Sequence, residues 1–173
     1  VKMETQETMK IIAAGNIFTG TFERDGMGGI LTLGRNFECR PNKLKGYYKY
    51  TSAKVSVSKG HLNEGEDDLC SLYIALTDEQ ITVNTNKGIY FDPNSSAVIA
   101  YGSISDEESK GADSFKEFTV DLEYKDLKRI PKYIIVVASS SKYGDYMEGG
   151  KGSTMWLDDL ELVYPKSMEE VRK

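Results

Sequence analysis

The sequence has few of the residues that metal centres and disulfide frameworks require. Its 173 residues include two cysteines, one histidine and one tryptophan. Two thiols and one imidazole fall short of the four ligands of a structural zinc site. We therefore expect Cys39 and Cys70 to be separate thiols. A single disulfide between them is the alternative if the compartment is oxidising.

Positive charge and long apolar runs are also scarce. Acidic residues outnumber Lys and Arg by 27 to 22, which gives a formal net charge of −5. Without a basic surface to attract phosphates, nucleic acid is excluded as a partner. No apolar run approaches the ~20 residues that a membrane helix needs, and the polar first ten residues do not resemble a secretory signal. The sequence therefore predicts a globular chain with no membrane span.

Glycine and tyrosine, by contrast, are abundant, with 16 and 11 copies. Strand-like segments recur about every dozen residues, and turn signals separate them. The predicted strands are residues 15–23, 29–33, 43–52, 69–77, 80–84, 97–105, 115–124, 133–140 and 153–164. So many strands without crossover helices predict an all-β, antiparallel β-sandwich. We expect one domain over residues 1–173, with a core from about 15 to 165.

Helix signals are weak and lie only near the two ends. A capping pattern at residues 167–170 predicts one or two helical turns at the C-terminus. Residues 5–11 are interpreted as either a short helical lead-in or a disordered segment. The C-terminal turns are not expected to contribute to function.

One candidate binding surface lies on the predicted strand 43–52. Side chains alternate between the two faces of a strand, and one face here is apolar and is expected to be core. The other face carries one aromatic ring among lysines: Lys43, Lys45, Tyr47 and Lys49. Such a ring offers an apolar platform to a sugar, while charged neighbours bind hydroxyl or acidic groups. Arg40 precedes the strand and is included in this predicted carbohydrate site; an ordinary solvent-facing strand is the alternative.

A second candidate surface is the polar loop that follows the apolar strand 133–140. The loop supplies hydrogen-bond donors and acceptors within a few residues: Ser139, Ser141, Lys142, Asp145 and Tyr146. Polar groups delivered to the rim of a sheet are typical of binding sites in sandwich proteins. The alternative is a loop whose polar groups bond to its own backbone.

The first and last strong strands resemble those of carbohydrate-binding jelly rolls. The chain has Gly-Thr-Phe-Glu ending at Glu23 and Trp-Leu-Asp-Asp ending at Asp159. In those jelly rolls the two strands lie side by side, and their acids hold a structural calcium. The resemblance implies that Glu23 and Asp159, with Asp158 as an alternative, bind calcium together with carbonyl oxygens, the ligands that calcium prefers. Solvated acids at strand ends are the other interpretation.

Enzymatic chemistry has weaker support in the sequence. His61 lies in a polar loop with no nucleophile nearby, and the acidic residues concentrate in loops at 64–68 and 106–108. A glycosidase needs one acid in an apolar environment that raises its pKa, and nothing singles out such a residue. Nucleophile elbows, phosphate-binding loops and dinucleotide fingerprints are absent from the sequence.

Residues 40–50, 137–146 and 149–162 together resemble the putative carbohydrate metabolism domain family. That family occurs on secreted or surface-anchored proteins of polysaccharide-degrading Gram-negative anaerobes. The resemblance implies a jelly-roll sandwich and an extracytoplasmic location, at the cell surface or in the periplasm. It also implies a role in glycan capture or processing, and an N-terminal immunoglobulin-like module in the full-length protein. It transfers no catalytic residue.

The sequence thus predicts an extracytoplasmic glycan-binding module whose partner is an oligo- or polysaccharide. It predicts no cofactor for chemistry beyond the structural calcium. A glycoside hydrolase or lyase on the same scaffold is the first alternative. A structural or adhesion domain that binds another surface protein is the second.

Overall fold

The computed structural model describes residues 1–26 and 28–166, and its regular structure is almost entirely β. The strands are β1 (Lys2–Glu4), β2 (Gln6–Thr8), β3 (Ile11–Ala13), β4 (Asn16–Phe18), β5 (Gly20–Asp25), β6 (Gly28–Leu33), β7 (Arg35–Asn36), β8 (Lys43–Thr51), β9 (Ser71–Thr77), β10 (Ile81–Asn84), β11 (Val98–Ser103), β12 (Ala112–Asp121), β13 (Glu123–Tyr124), β14 (Tyr133–Ser139) and β15 (Thr154–Val163). The helical segments are α1 (Asp106–Ser109) and the 3-10 turns Thr85–Lys87 and Gly144–Tyr146.

Two antiparallel sheets form a sandwich. The first has the order β1-β15-β8-β12, and the second has the order β13-β11-β9-β14-β4, with β7 also paired to β14. The chain moves back and forth between them, since β8, β12 and β15 lie in the first sheet and β9, β11 and β14 in the second. This alternation is the topology of a jelly roll. The predicted antiparallel sandwich is confirmed.

The core lies between these two sheets and is built from alternate residues of each strand. Tyr48 and Met155 of the first sheet pack with Leu72 and Ile74 of the second, and all four are almost completely buried. The ring of Phe118 meets that of Tyr48 edge-on, with centroids 6.0 Å apart. Burying side chains of this size stabilises the fold by roughly 1.5–3 kcal/mol each. The packing fixes the positions of the two sheets and of the loops at their edges.

The opposite face of the second sheet is partly covered by a smaller sheet with the order β10-β6-β5. Leu33 of the small sheet packs with Ala75 and Ile135 in a second apolar cluster. Tyr73 and Tyr101 also point to this face, because they alternate with the core residues of β9 and β11. The part of the face that the small sheet leaves open forms the candidate site described below.

All nine predicted strands are present, although two are interrupted. The segment 15–23 becomes β4 and β5, and the segment 115–124 becomes β12 and β13. The predicted acidic loop at residues 106–108 forms the single helical turn α1. Ser105 caps this turn and Glu108 completes the capping box, so that the backbone N–H groups at its start are satisfied.

The interpretation of residues 5–11 as helical or disordered is wrong. β2 and β3 form a hairpin there, in which Thr8 lies opposite Ile11. Met9 and Lys10 make the turn, with positive φ angles of 49° and 62°. Turns with two positive φ angles usually contain Asn or Gly, so these residues carry no recognisable turn signal. The helical turn predicted at residues 167–170 lies outside the described residues.

The thiols of Cys39 and Cys70 are both free in the structure, Cys39 being exposed and Cys70 buried. The prediction of two separate thiols therefore agrees with the structure. None of the helices within residues 1–26 and 28–166 is long and apolar enough to cross a membrane.

Candidate functional site

A cleft of about 410 Å³ opens on the uncovered part of the second sheet. Its floor is aromatic and consists of Tyr73 of β9, Tyr101 of β11 and Phe91 from the preceding loop. The ring of Phe91 stacks on that of Tyr73, with centroids 5.0 Å apart and 18° between the planes. Burial raises the pKa of Tyr73, which keeps its phenol neutral. The volume lies within the range of about 300–1,000 Å³ typical of small-molecule sites.

A second group of rings borders the cleft: three tyrosines line it, and His61 packs against two of them. The imidazole of His61 stacks on Tyr143 at a centroid distance of 4.4 Å, and the ring of Tyr146 lies 4.3 Å from His61. Tyr146 in turn lies 4.0 Å from Tyr90. We call these four residues the aromatic rim. Burial raises the pKa of Tyr146, and neighbouring Tyr90 and Asp145 raise it further.

The aromatic rim is held by a buried carboxylate, that of Glu148. Glu148 accepts hydrogen bonds from the backbone N–H groups of Lys59 at 2.8 Å, His61 at 3.2 Å and Leu62 at 2.5 Å. Burial raises the pKa of Glu148, but these hydrogen bonds and the one to the His61 side chain outweigh burial, so the net pKa is lowered. The ionised carboxylate thus ties the loop at 59–62, and with it His61, to the tyrosines.

Three charged residues line the cleft. The Nζ atom of Lys142 lies 3.1 Å from Oδ1 of Asp106, so these two form an ion pair. Asp145 makes no side-chain hydrogen bond or ion pair with any residue among 1–26 and 28–166. Asp145 is exposed towards the cleft, and partial desolvation of its carboxylate there raises its pKa. Asp145 is therefore an acid with unused hydrogen-bonding capacity facing an open cavity.

The cleft contains three of the five loop residues that the sequence predicts to bind carbohydrate: Lys142, Asp145 and Tyr146. The other two, Ser139 and Ser141, are buried beneath it. Ser141 donates its hydroxyl hydrogen to Oδ2 of Asp68 at 2.6 Å, and Ser139 donates to the carbonyl of Ser141 at 2.9 Å. These serines hold the loop together, which is the alternative role considered for them. Sugar binding by any of the five stays a prediction.

The other predicted surface lies on the opposite side of the sandwich, on the outer face of the first sheet. The side chains that share this face are Lys43, Lys45, Tyr47 and Lys49. Tyr47 is 43% exposed. Lys43 forms an ion pair with Asp121, and the Nζ atom of Lys49 lies 4.9 Å from the centre of the Trp156 ring. Since the cleft is on the far face of the second sheet, the two predicted surfaces do not converge, and sugar binding here stays a prediction.

Arg40 belongs to neither surface. It donates a hydrogen bond to the carbonyl of Arg129, and its guanidinium lies 5.8 Å from the centre of the Tyr124 ring. These contacts attach the segment before β8 to the loop that precedes β14.

Glu23 and Asp159 are not brought together as the calcium prediction requires. Glu23 lies on β5, which pairs with β6, whereas Asp159 lies on β15, which pairs with β1 and β8. The expectation that these strands lie side by side is wrong, because β1 takes the place beside the last strand. Asp159 sits at a β-bulge with a φ of 49°, a conformation that Asp tolerates.

The described part of the chain contains no group of three or more His, Cys, Asp or Glu side chains arranged to hold a metal ion. Glu23 and Asp159 therefore do not fit a shared calcium site. A calcium requirement stays a prediction, and thermal melts of metal-stripped protein with calcium and with a chelator would test it.

Sequence reasoning missed most of the rings that line the cleft, and also His61, which stacks behind them: the missed cleft rings are Tyr73, Tyr90, Phe91, Tyr101 and Tyr143. Tyr73 was hidden because β9 is apolar on both faces and looks like an entirely buried strand. Tyr90 and Phe91 directly precede the Asp92-Pro93 turn, and aromatic residues beside a strong turn are a signal that points to a loop site. His61 has no such signal, because its partners Tyr143 and Glu148 are more than eighty positions away.

Two solved structures resemble this fold closely. One is the crystal structure of a putative glycoside hydrolase from Bacteroides thetaiotaomicron VPI-5482, with a TM-score of 0.77 and 25% identity over 96% of this chain. The match covers 53% of that protein, so the chain spans about half its length. The other is a putative glycoside hydrolase from Bacteroides vulgatus ATCC 8482, with a TM-score of 0.74 and 25% identity over 94% of this chain and 71% of that one.

No curated protein matches the sequence. The model of one family, described as the putative carbohydrate metabolism domain, matches residues 1–163 and thus nearly the whole chain. The jelly-roll sandwich and the aromatic cleft agree with a carbohydrate-related role. The chain therefore belongs to the putative carbohydrate metabolism domain family.

Proposed function

We propose that the chain is a glycan-binding module and that its binding site is the aromatic cleft. The observation that carries this proposal is the aromatic rim, a chain of four rings in contact, with neighbouring centroids 4.0–4.4 Å apart, beside an open cavity of about 410 Å³. Aromatic rings that serve only to stabilise the fold are usually buried in its core. Here they are half-exposed and border a space large enough for a sugar.

The chemistry of the cleft suits a sugar on both its apolar and its polar sides. The C–H face of a pyranose packs on an aromatic ring, and Tyr90 and Tyr146 offer such surfaces. The hydroxyl groups of the sugar need donors and acceptors at the same time. Asp145 and the Lys142–Asp106 pair supply both, and Asp145 has no competing partner among the described side chains. A few convergent polar groups in an apolar pocket are the usual composition of a ligand site.

The cleft is also largely pre-organised. Glu148 fixes the loop at 59–62, and the stacked position of His61 fixes Tyr143 and Tyr146. Side chains that are already ordered lose little conformational entropy when a ligand binds. A rigid site can therefore bind a glycan even when the contact area between them is small.

Binding can be tested with paired tyrosine variants on a glycan array and by calorimetry. Tyr146→Ala removes a ring of the cleft, whereas Tyr47→Ala removes an exposed ring from the opposite face. We expect Tyr146→Ala to weaken binding about tenfold or more, which corresponds to roughly 1.4 kcal/mol, and Tyr47→Ala to leave it unchanged. The absence of any glycan binding at millimolar concentration would reject the function. Loss of binding only in Tyr47→Ala would move the site to the face of β8.

Glycoside hydrolysis on the same cleft is the second candidate. It is favoured by Asp145, whose pKa burial raises as the general acid of a glycosidase requires, and by Asp106, a second carboxylate lining the same cavity. Release of reducing ends from polysaccharides tests it. A hydrolase should lose turnover in Asp145→Asn while still binding substrate. Binding without any release of reducing ends by the unaltered protein would reject hydrolysis and retain the binding module.

The proposed function also suggests a cellular location and a neighbouring domain. We propose an extracytoplasmic location, where a glycan-binding module meets polysaccharide, and an immunoglobulin-like module elsewhere in the full-length protein. Cell fractionation with an antibody against the domain tests the location. A purely adhesive role would instead predict capture of a surface protein that does not depend on Tyr146.

A further inference from the structure

We propose that the glycan site continues past Asp145 into a second cavity, so that it binds a neutral oligosaccharide with sugar units on both sides of this residue. This inference rests on the proposed function and specifies the length and charge of the glycan.

Three cavities share Asp145 as a lining residue. A second cavity of about 450 Å³ lies between the small sheet and the β2–β3 hairpin, and a third of about 60 Å³ lies between the two large ones. Asp145 lines all three. The small cavity shares Tyr73 and Lys142 with the first cleft, and it shares Asn16 and Phe18 with the second. The three cavities therefore adjoin one another around Asp145, and we refer to them together as the groove.

The second cavity has its own aromatic platform. Phe22 of β5 lines it and is 58% exposed, which is high for a phenylalanine. Its ring lies so close to Gly29 that a β-carbon at that position would be 2.1 Å from a ring carbon. Glycine at position 29 thus allows the ring to rest against the backbone of β6. A sugar in this cavity would find an apolar ring on the far side of Asp145 from Tyr146.

The charges along the groove argue against an acidic glycan. Asp106, Lys142 and Asp145 are the only charged side chains among the residues that line the three cavities. Lys142 is paired with Asp106 at 3.1 Å, which leaves Asp145 as the one acid without a cation. A uronate or sulfate would meet two carboxylates, Asp106 and Asp145, against the single positive charge of Lys142, and like charges in a cleft repel. A neutral sugar offers hydroxyl groups that donate to the same carboxylate.

The length of the site can be tested with oligosaccharides of one to six units. The probes are fragments of β-glucan, xylan, mannan and galactan, with galacturonan and sulfated chondroitin fragments as acidic probes. For the neutral series that binds best, we expect affinity to rise at least tenfold from one unit to three. Phe22→Ala should remove most of that gain but leave monosaccharide binding unchanged. The control is Phe115→Ala, an exposed phenylalanine of β12 that lines none of the cavities.

Charge selection is tested by Asp145→Asn. This variant should bind galacturonan fragments about fivefold or more tightly than the unaltered protein, because the repelling charge is gone. Asp113→Asn, an exposed acid of β12, should not change this affinity.

The outcomes separate the extended site from the proposed function on which it rests. If no glycan binds, or Tyr146→Ala has no effect, the proposed function fails. If Tyr146→Ala weakens binding but affinity does not rise with length, or Phe22→Ala behaves as Phe115→Ala does, only the extended site fails. Preferred binding of an acidic probe by the unaltered protein overturns the charge assignment.

Discussion

The Nδ1 atom of His61 lies 3.1 Å from Oε2 of Glu148, and the side chain of Glu148 has no exposed surface. The same carboxylate also accepts hydrogen bonds from the backbone of Lys59 and Leu62. A carboxylate that satisfies several backbone donors at once fixes the course of a loop that has no regular secondary structure. Because His61 stacks on Tyr143, the position of the aromatic rim depends on this buried acid.

Removal of this carboxylate should destabilise the protein strongly. Glu148→Ala leaves three backbone N–H groups without their acceptor, and we expect a loss of roughly 2–4 kcal/mol in the free energy of unfolding. The control is Glu107→Ala, since Glu107 is an exposed acid in a surface ion pair with Lys110. Urea denaturation of both variants measures the difference. Equal stability of the two variants would show that Glu148 does not hold the loop.

Glu148 should also make stability depend on pH. Its pKa in the folded protein lies below the ordinary value of 4.5 because hydrogen bonds to the ionised form outweigh burial. The stabilisation is therefore fully present above pH 4.5 and is lost as the pH falls through the folded pKa. Glutamine does not titrate, so the advantage of the unaltered protein over Glu148→Gln should shrink over that interval. Melting temperatures between neutral pH and about pH 3 test this, and a constant difference would contradict it.

A second buried acid, Asp68, holds the loop beneath the cleft. It accepts hydrogen bonds from the hydroxyls of Ser141 at 2.6 Å and Ser153 at 2.8 Å, and from the backbone of Gly150 at 2.8 Å. Asp68→Ala should cost about 3 kcal/mol or more, because these buried donors lose a charged acceptor. The adjacent Asp67 is exposed and is paired with Lys54, so Asp67→Ala should cost no more than about 1 kcal/mol. Chemical denaturation compares them, and similar losses would argue against a structural role of Asp68.

The fold was predictable where local patterns decide it. The predicted strands from 43–52 to 153–164 either alternate apolar and polar residues or are apolar throughout, and both patterns indicate which side chains are buried. The β2–β3 hairpin could not be predicted, because its turn is made by Met9 and Lys10 and lacks the glycine or asparagine that such a turn favours. The pairing of β1 with β15 was also missed, because nothing in Lys2–Glu4 identifies Trp156 as the residue opposite Lys2.

The site was predictable only in part. The loop at 142–146 was found because polar residues follow an apolar strand, and it does border the cleft. The sequence did not show which residues of this region face the cleft and which are buried, since the burial of Ser141 depends on its contact with Asp68, more than seventy positions earlier. The face of Tyr47 looks equally suitable in sequence, because alternation identifies an outward face but not whether that face is concave.

Gly144 places the cleft loop against the segment that follows β3. A β-carbon at position 144 would lie 2.3 Å from the β-carbon of Ala14, and all other neighbours are at least 3.7 Å away. Gly144→Ala should therefore lower stability by roughly 1–3 kcal/mol and weaken glycan binding, as Asp145 and Tyr146 shift. Adding Ala14→Gly removes the clashing atom and should restore both. A double-mutant cycle measures this coupling, and additive effects would contradict it.

Asp145 should lower the stability of the fold while it provides the polar group of the cleft. Burial raises its pKa in the folded protein above the ordinary 3.8, so ionisation is less favourable there than in the unfolded chain. The cost is absent below pH 3.8, where both states are protonated, and is complete once the pH exceeds the folded pKa. Asp145→Asn should thus melt at a higher temperature than the unaltered protein at neutral pH, and the gain should disappear as the pH approaches 3.8.

Asp113→Asn, at an exposed position of β12, serves as the control and should produce no such trend. An Asp145→Asn variant that is less stable at neutral pH would mean that the carboxylate supports the fold, and its proposed role as an unpartnered ligand of sugar hydroxyls would then be wrong.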